Sequence, residues 1–141
     1  MELIRHTVDI DMPVDRVFRA LTEEEGLRGW WTRRAMAVAE VGHVNEFPFA
    51  SGDFNAMRVV AMEVDRLVEW ECVEGSPEWV GTRVVFEMEG TGAGTGEGTH
   101  LVFTHADWRK DTPFFRMCRK AWEWYLSSLK QYCETGTGTP S

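Results

Sequence analysis

Hydrophobic and polar positions alternate with a period of two near the start of the chain, between residues 3 and 10. The more apolar face of this alternation carries Ile4, His6, Val8 and Ile10. A period of two is typical of a half-buried β-strand. The first element is therefore predicted to be a strand, with His6 pointing into the protein.

Two short helices are predicted directly after this strand. Pro13 is well suited to a first helical turn. Apolar side chains follow at the spacing of one helix face, at Val14, Val17, Phe18 and Leu21. Thr22 and Glu25 have the spacing of a capping box, which predicts that a second helix begins at Thr22. This second helix is expected to end at the paired Trp30 and Trp31.

Strand-like alternation and turn signals occupy most of the chain from residue 35 to residue 105. Strands are predicted at residues 35–41, 44–49, 55–64, 66–74, 82–89 and 99–105. In the fourth of these, Val68, Trp70 and Cys72 share one face. Glu69 and Glu71 lie on the opposite face, so the strand is predicted to have a buried side and a solvated side.

A glycine-rich stretch, residues 90–98, separates the last two predicted strands. Glycine-rich loops bind phosphate when they join a strand to a helix with a dinucleotide or P-loop spacing. Here a strand follows the glycines and neither spacing occurs. The stretch is therefore predicted to be the tip of a hairpin.

The longest pattern predicts an amphipathic helix over residues 112–133, capped by Asp111 or Thr112. At 1.5 Å per residue, about 22 residues span about 33 Å, which is enough to cross a whole sheet. The apolar stripe of this helix contains Phe115, Cys118, Trp122, Leu126, Leu129 and Cys133. Residues 135–141 have little to bury and are predicted to form a flexible tail after one domain of residues 1–134.

The order of these elements predicts an α+β fold. An antiparallel sheet must cover its apolar face, and the last helix is the only predicted element large enough to do so. We therefore expect a curved antiparallel sheet of about six to seven strands wrapped around the long carboxy-terminal helix. One helix rarely fills a whole concave face, so a cavity between sheet and helix is also expected.

Composition and charge narrow the class of partner. The chain has 141 residues, 15 basic and 23 acidic side chains, a formal net charge of −8 and 43% hydrophobic residues. The acidic balance argues against nucleic acid or an anionic membrane as the main partner. No apolar run approaches the ~20 residues of a membrane span. Three widely spaced cysteines suit reduced thiols in the cytoplasm, with Cys72 and Cys118 buried and Cys133 partly exposed.

Five short motifs occur in a fixed order along the chain. They are PVDRVFRALT at residues 13–22, the tryptophan pair at 30–31, RLVEW at 66–70, GTHLVFTH at 98–105 and WEWYLSSL at 122–129. This series resembles the family of homologues of the carboxy-terminal domain of the heat-shock-protein-90 ATPase activator, within the START-like superfamily. The resemblance covers about residues 3–133 and implies the helix-grip fold. Members of the superfamily bind lipids, hormones and polyketides, and some catalyse cyclisation.

Few side chains suggest catalysis. His6 and His105 are the predicted inward-facing histidines, and each is either a general base or a hydrogen-bonded structural residue. His100 and His105 are five residues apart on one strand and point to opposite faces, so they predict no metal site. No recognised motif of a hydrolase, metalloenzyme or nucleotide-binding enzyme is present. Neither a catalytic residue nor a metal or cofactor is predicted.

Aromatic residues on the inward faces supply the functional hypothesis. The predicted cavity is lined by His6, Trp31, Trp70, Phe86, Phe103, His105, Phe115 and Trp122. Aromatic walls with few polar groups are typical of a site for a flat hydrophobic or polyaromatic molecule, although the same residues would also suit an ordinary core. Binding without catalysis is the leading hypothesis. A chaperone-associated regulator and a polyketide cyclase-like enzyme are the alternatives, and a homodimer is left open.

Overall fold

Six antiparallel strands form one sheet in the order β1-β6-β5-β4-β3-β2 in the computed structural model, which describes residues 1–92 and 98–141. The strands and helices follow one another along the chain as β1 (Glu2–Ile10), α1 (Val14–Thr22), α2 (Glu24–Trp30), β2 (Val44–Pro48), β3 (Phe54–Glu63), β4 (Leu67–Glu74), β5 (Arg83–Thr91), β6 (Gly98–Trp108) and α3 (Pro113–Thr135). The predicted hairpin tip at residues 90–98 falls partly outside the described residues.

Helix α3 packs its apolar stripe against the sheet, as its sequence predicts. All six residues of the predicted stripe are buried. The Thr112 side chain caps the helix by accepting a hydrogen bond from the Phe115 backbone N–H at 3.1 Å. The other end closes at Gly136, which has a φ of 89°. A left-handed residue directly after a helix is a common stop signal, because glycine adopts it without a steric penalty.

Two local predictions are wrong. Residues 35–41 do not form a strand, because Met36 makes only an isolated bridge to Glu46 and the apolar side chains of Val38 and Val41 are exposed. Thr22 does not cap α2. Its hydroxyl donates to the Phe18 carbonyl oxygen at 2.9 Å, and so closes the last turn of α1 instead.

Helices α1 and α2 are in close contact. A Cβ atom at Gly26 would lie 2.6 Å from the Ala20 Cα atom, so only glycine allows this approach. The Trp30 indole N–H donates to the Ala20 carbonyl oxygen at 2.7 Å. The two helices therefore form one packed unit at the end of β1.

The segment after α3 folds back along α2. Ser141 pairs through its backbone with Trp31 and Arg33, at 2.8 and 3.1 Å. The Ser128 hydroxyl accepts a hydrogen bond from the Thr139 N–H and donates to the Trp30 carbonyl oxygen, each at 2.8 Å. Ser128 and the end of α2 therefore supply hydrogen-bond partners for the backbone of this segment, which the sequence pattern does not predict.

Candidate ligand-binding groove

Five of the inward-facing aromatic side chains form a closed ring of contacts in the middle of the sheet–helix interface. The ring centroids are 5.7 Å apart for Trp31–Trp70, 5.0 Å for Trp70–Phe86, 5.3 Å for Phe86–Phe103, 4.5 Å for Phe103–Trp122 and 5.2 Å for Trp122–Trp31. All five are buried. The central part of the interface is therefore core, packed at contact distance.

A groove of about 580 Å³ opens beside this ring, towards the first half of α3. Seven of its sixteen lining residues are aromatic. The walls come mainly from α3, the start of β3 and the connections β2–β3 and β4–β5, together with Trp31 and Ser141. The lining residues are Trp31, Phe49, Ser51, Asp53, Phe54, Asn55, Ser76, Pro77, Trp79, Phe114, Met117, Cys118, Ala121, Trp122, Tyr125 and Ser141.

Two of the eight residues predicted to line a cavity, Trp31 and Trp122, line this groove. Five others are buried in the core and do not line it: Trp70, Phe86, Phe103, His105 and Phe115. His6 is half-buried between β1 and α3, where its Nε2 lies 3.0 Å from the Arg119 carbonyl oxygen. The predicted set thus divides into five core residues, two residues of the groove wall and His6, which lies outside both.

The connections that build the groove are held by local hydrogen bonds. The Phe49 N–H donates to the Asp53 carbonyl oxygen at 2.8 Å and closes the β2–β3 turn. The Trp79 N–H donates to the Ser76 carbonyl oxygen at 2.8 Å in the β4–β5 connection. These bonds hold Phe49 and Trp79 at the mouth of the groove.

Trp79 is the groove residue that is hardest to predict from the sequence. Its indole packs parallel to Trp122, with the centroids 6.0 Å apart, and its N–H points at the Cys118 sulfur at 3.4 Å. It lies in the β4–β5 connection, whose sequence predicts only that the strand pattern is interrupted. The sequence offers one signal for it, which is a single tryptophan in a short polar segment. A tryptophan is rarely left in solvent, so its presence there indicates that the connection folds back onto the protein.

His105 lies behind the groove in a fully bonded network. The Trp122 indole N–H donates to Nδ1 of His105 at 3.1 Å, so the imidazole proton is on Nε2, which lies 2.8 Å from the Thr82 hydroxyl. The Thr82 hydroxyl in turn donates to the Trp79 carbonyl oxygen at 2.6 Å. Burial lowers the pKa of His105 from 6.5 to about 3. His105 is therefore a neutral residue that positions Trp122 and Trp79.

All three cysteines are free and buried. The prediction of a partly exposed Cys133 is wrong, because its helix turn packs against the core. Burial raises the pKa of Cys72 and Cys118 to about 11 and that of Cys133 to about 12. Since the thiolate is the reactive form, all three are expected to be unreactive near neutral pH.

Cys118 should be the first thiol to react with a disulfide reagent in the native protein. It lines the groove and is 6% exposed, whereas Cys72 and Cys133 do not line it. Its rate should rise with pH, as the fraction of thiolate grows towards the raised pKa. Peptide mapping by mass spectrometry after partial labelling identifies the site, and Cys118→Ser should remove the first phase. Earlier labelling of Cys133 would contradict this assignment.

The fold and the groove define the class of protein. A curved antiparallel sheet around a long carboxy-terminal helix, with two short helices after the first strand, is a helix-grip fold. Residues 11–134 match the family described as Activator of Hsp90 ATPase homolog 1-like protein. The chain belongs to this family, which confirms the resemblance carried by its five motifs.

Several solved structures share this fold. The Aha1 dimer from Colwellia psychrerythraea is 30% identical, with a TM-score of 0.88 over 98% of this chain and 100% of that one. Protein MLL2253 from Mesorhizobium loti is 21% identical, with a TM-score of 0.79 over 92% and 95%. DynU16, from the dynemicin biosynthetic locus, is 23% identical, with a TM-score of 0.80 over 98% and 49%. No curated protein matches the chain at a significant level.

Two further observations concern the described residues. None of their helices is long and apolar enough to cross a membrane. Within the same residues, no group of three or more histidine, cysteine, aspartate or glutamate side chains could hold a metal ion.

Proposed function

We propose that the protein binds a small, flat hydrophobic ligand in the groove between the sheet and α3. The observation that carries this proposal is the groove itself: about 580 Å³ of space beside an aromatic core. A concave space of this size with mostly apolar and aromatic walls and a few polar groups is typical of a small-molecule site. Trp79, which is partly exposed and stacks on Trp122, offers an indole against which an aromatic ring can pack.

The size of the groove sets the expected affinity. Burial of apolar surface contributes about 25 cal/mol per Å², so about 200 Å² of ligand surface contributes about 5 kcal/mol before ordering costs. Contacts between stacked aromatic rings add about 1 kcal/mol each. Together these contributions reach about 7 kcal/mol, which corresponds to a dissociation constant of about 10 μM before ordering costs. Ordering costs weaken binding further, so dissociation constants of tens to hundreds of micromolar are expected for ligands with two fused rings.

Among the described residues that line the groove or lie behind it, none is arranged for catalysis. His105, the only histidine near it, is neutral, enclosed and fully hydrogen-bonded within the described residues. We therefore propose binding without catalysis.

A chaperone-associated role is the second candidate, because the similar protein from Colwellia psychrerythraea is described as an Aha1 dimer. Under this proposal the chain would change the ATPase rate of a chaperone partner, and it would do so as a homodimer. Measuring the steady-state ATPase rate of the host's Hsp90-type chaperone with and without the protein tests this role, while sedimentation tests the homodimer.

A substitution that fills the groove is expected to abolish ligand binding. Ala121 is partly buried and lines the groove, so the indole of Ala121→Trp would occupy the space that a ligand needs. Titration calorimetry with 1-methylnaphthalene should give binding of the expected affinity to the unmodified protein and at least tenfold weaker binding to this variant. Ser127→Trp places the same side chain at an exposed position on the same helix and should bind normally. No binding to the unmodified protein, or equal loss in both variants, would reject the groove as the site.

A further inference from the structure

The lining of the groove has few polar side chains, and among the charged groups of its described residues an acidic side chain is present while basic ones are not. Asp53, which begins the approach to β3, is the only charged side chain among the lining residues of the described chain. Its Oδ2 accepts a hydrogen bond from the Ser51 hydroxyl at 2.9 Å, and the carboxylate is otherwise exposed at the rim. The charged side chain that faces a ligand in this groove is therefore acidic.

Asn55 adds a second polar group on the same side of the groove. It lies two residues after Asp53 on extended chain, opposite Phe47 of the neighbouring strand, and it is only 7% exposed. Its side-chain Oδ1 is buried and has no hydrogen-bond partner among the described residues. An unpartnered buried amide oxygen is unfavourable, and a bound hydrogen-bond donor would remove that cost. The terminal torsion of an asparagine is soft, so the amide can turn towards such a donor.

The rest of the wall also favours a positive group. Trp31, Trp79 and Trp122 belong to the lining, and of these three Trp79 is the one that is partly exposed. The face of an aromatic ring attracts cations. Arg109 lies near the β4–β5 connection but does not line the groove. Its guanidinium donates hydrogen bonds to the carbonyl oxygens of Pro77 and Val80, at 3.1 and 3.0 Å. No basic residue belongs to the lining within the described chain.

We propose that the groove selects aromatic molecules that carry a protonated amine next to the ring system. The rings pack against Trp79 and the aromatic wall around it, while the ammonium group donates hydrogen bonds to the Asp53 carboxylate and the Asn55 amide oxygen. This inference rests on the proposed function, since it assigns the chemical class of ligand to the same groove. The net charge of −8 adds a long-range attraction for the same class of molecule.

Three naphthalene probes of one shape and different charge test the proposal by titration calorimetry. They are 1-naphthylmethylamine, 1-methylnaphthalene and 1-naphthylacetate, which are cationic, neutral and anionic at pH 7. One exposed ion pair and one hydrogen bond together predict that the amine binds about tenfold more tightly than the neutral probe. The anionic probe should bind more weakly than the neutral one.

Two variants separate the contributions of the polar groups. Asp53→Asn should reduce the preference for the amine about threefold, and Asn55→Leu should reduce it by a similar factor without weakening 1-methylnaphthalene. Glu89→Gln is the matched control, because it removes the same charge from an exposed residue of β5 that does not line the groove. This control should leave the preference unchanged, apart from a small effect that salt removes.

The possible outcomes distinguish this inference from the proposed function. If 1-methylnaphthalene binds but the anionic probe binds as tightly as the amine, the selection for amines is rejected and the groove remains a hydrophobic site. An amine preference that is the same in Asp53→Asn and Asn55→Leu as in the unmodified protein rejects the assigned residues. If none of the three probes binds, the proposed function itself fails.

Discussion

Replacing Trp122 with alanine is expected to lower the free energy of unfolding by ~3–5 kcal/mol. The side chain is 2% exposed and contacts the rings of Trp31, Trp79 and Phe103. Its loss would leave a cavity that these rings cannot fill together. It would also remove the only hydrogen bond to Nδ1 of His105 within the described residues, and so leave a buried acceptor unpartnered.

Trp124 provides the matched control for this experiment. It lies two residues away on the same helix but is 61% exposed, so Trp124→Ala should change stability by no more than about 0.5 kcal/mol. Urea unfolding followed by circular dichroism measures both variants. A midpoint for Trp122→Ala within error of the unmodified protein would contradict the packing of α3 described above.

Acid is expected to destabilise the protein through His105. Burial lowers the pKa of this histidine to about 3, from 6.5 when exposed. Between these two values the unfolded chain binds a proton at this position that the folded protein excludes. The stability contributed by neutral His105 is therefore complete above about pH 6.5 and is lost progressively as the pH falls towards 3. The slope approaches about 1.4 kcal/mol per pH unit within this window.

Comparison with His105→Gln isolates this effect from the titration of the carboxylates. Urea unfolding of both proteins at pH 7.0, 6.0 and 5.0 should show a shallower loss of stability in the variant, even though the variant is less stable at pH 7.0. His43→Gln, in a turn near the surface, should keep the steeper dependence. Parallel curves for the unmodified protein and His105→Gln would show that His105 is accessible to protons in the folded state.

The fold follows closely from periodicity, because burial on one face leaves a regular trace in the sequence. The alternation around Trp70 and the helical stripe around Trp122 both mark the faces that are buried in the structure. The prediction of a strand at residues 35–41 fails for a related reason. Alternation shows only that a strand is compatible with the sequence. Beyond the single bridge from Met36 to Glu46, no described strand pairs with this segment, and the side chains of Met36 and Val38 face solvent.

The groove is harder to predict, because a sequence indicates which way a side chain points but not whether the opposite side fills the space. Phe86 and Phe103 face inward as expected, yet they are closed off by Trp70 and Trp122 at contact distance. The open space depends instead on where two connections place Phe49 and Trp79. Their positions are set by turn geometry and by long-range contacts, which leave no periodic signal.

The close approach of Gly26 to Ala20 has a consequence for motion. The backbones of α1 and α2 are in contact at Gly26 and Ala20, and the Trp30 indole N–H donates a hydrogen bond from α2 to the Ala20 carbonyl oxygen of α1. The two helices therefore cannot slide past each other without losing both contacts. We expect them to move as one rigid body on the microsecond to millisecond timescale on which hinge and shear motions occur. For the proposed ligand to enter, the groove would then widen at the β2–β3 and β4–β5 connections and the first turn of α3. Amide exchange should therefore be faster around Asp53, Trp79 and Phe114 than along α1 and α2.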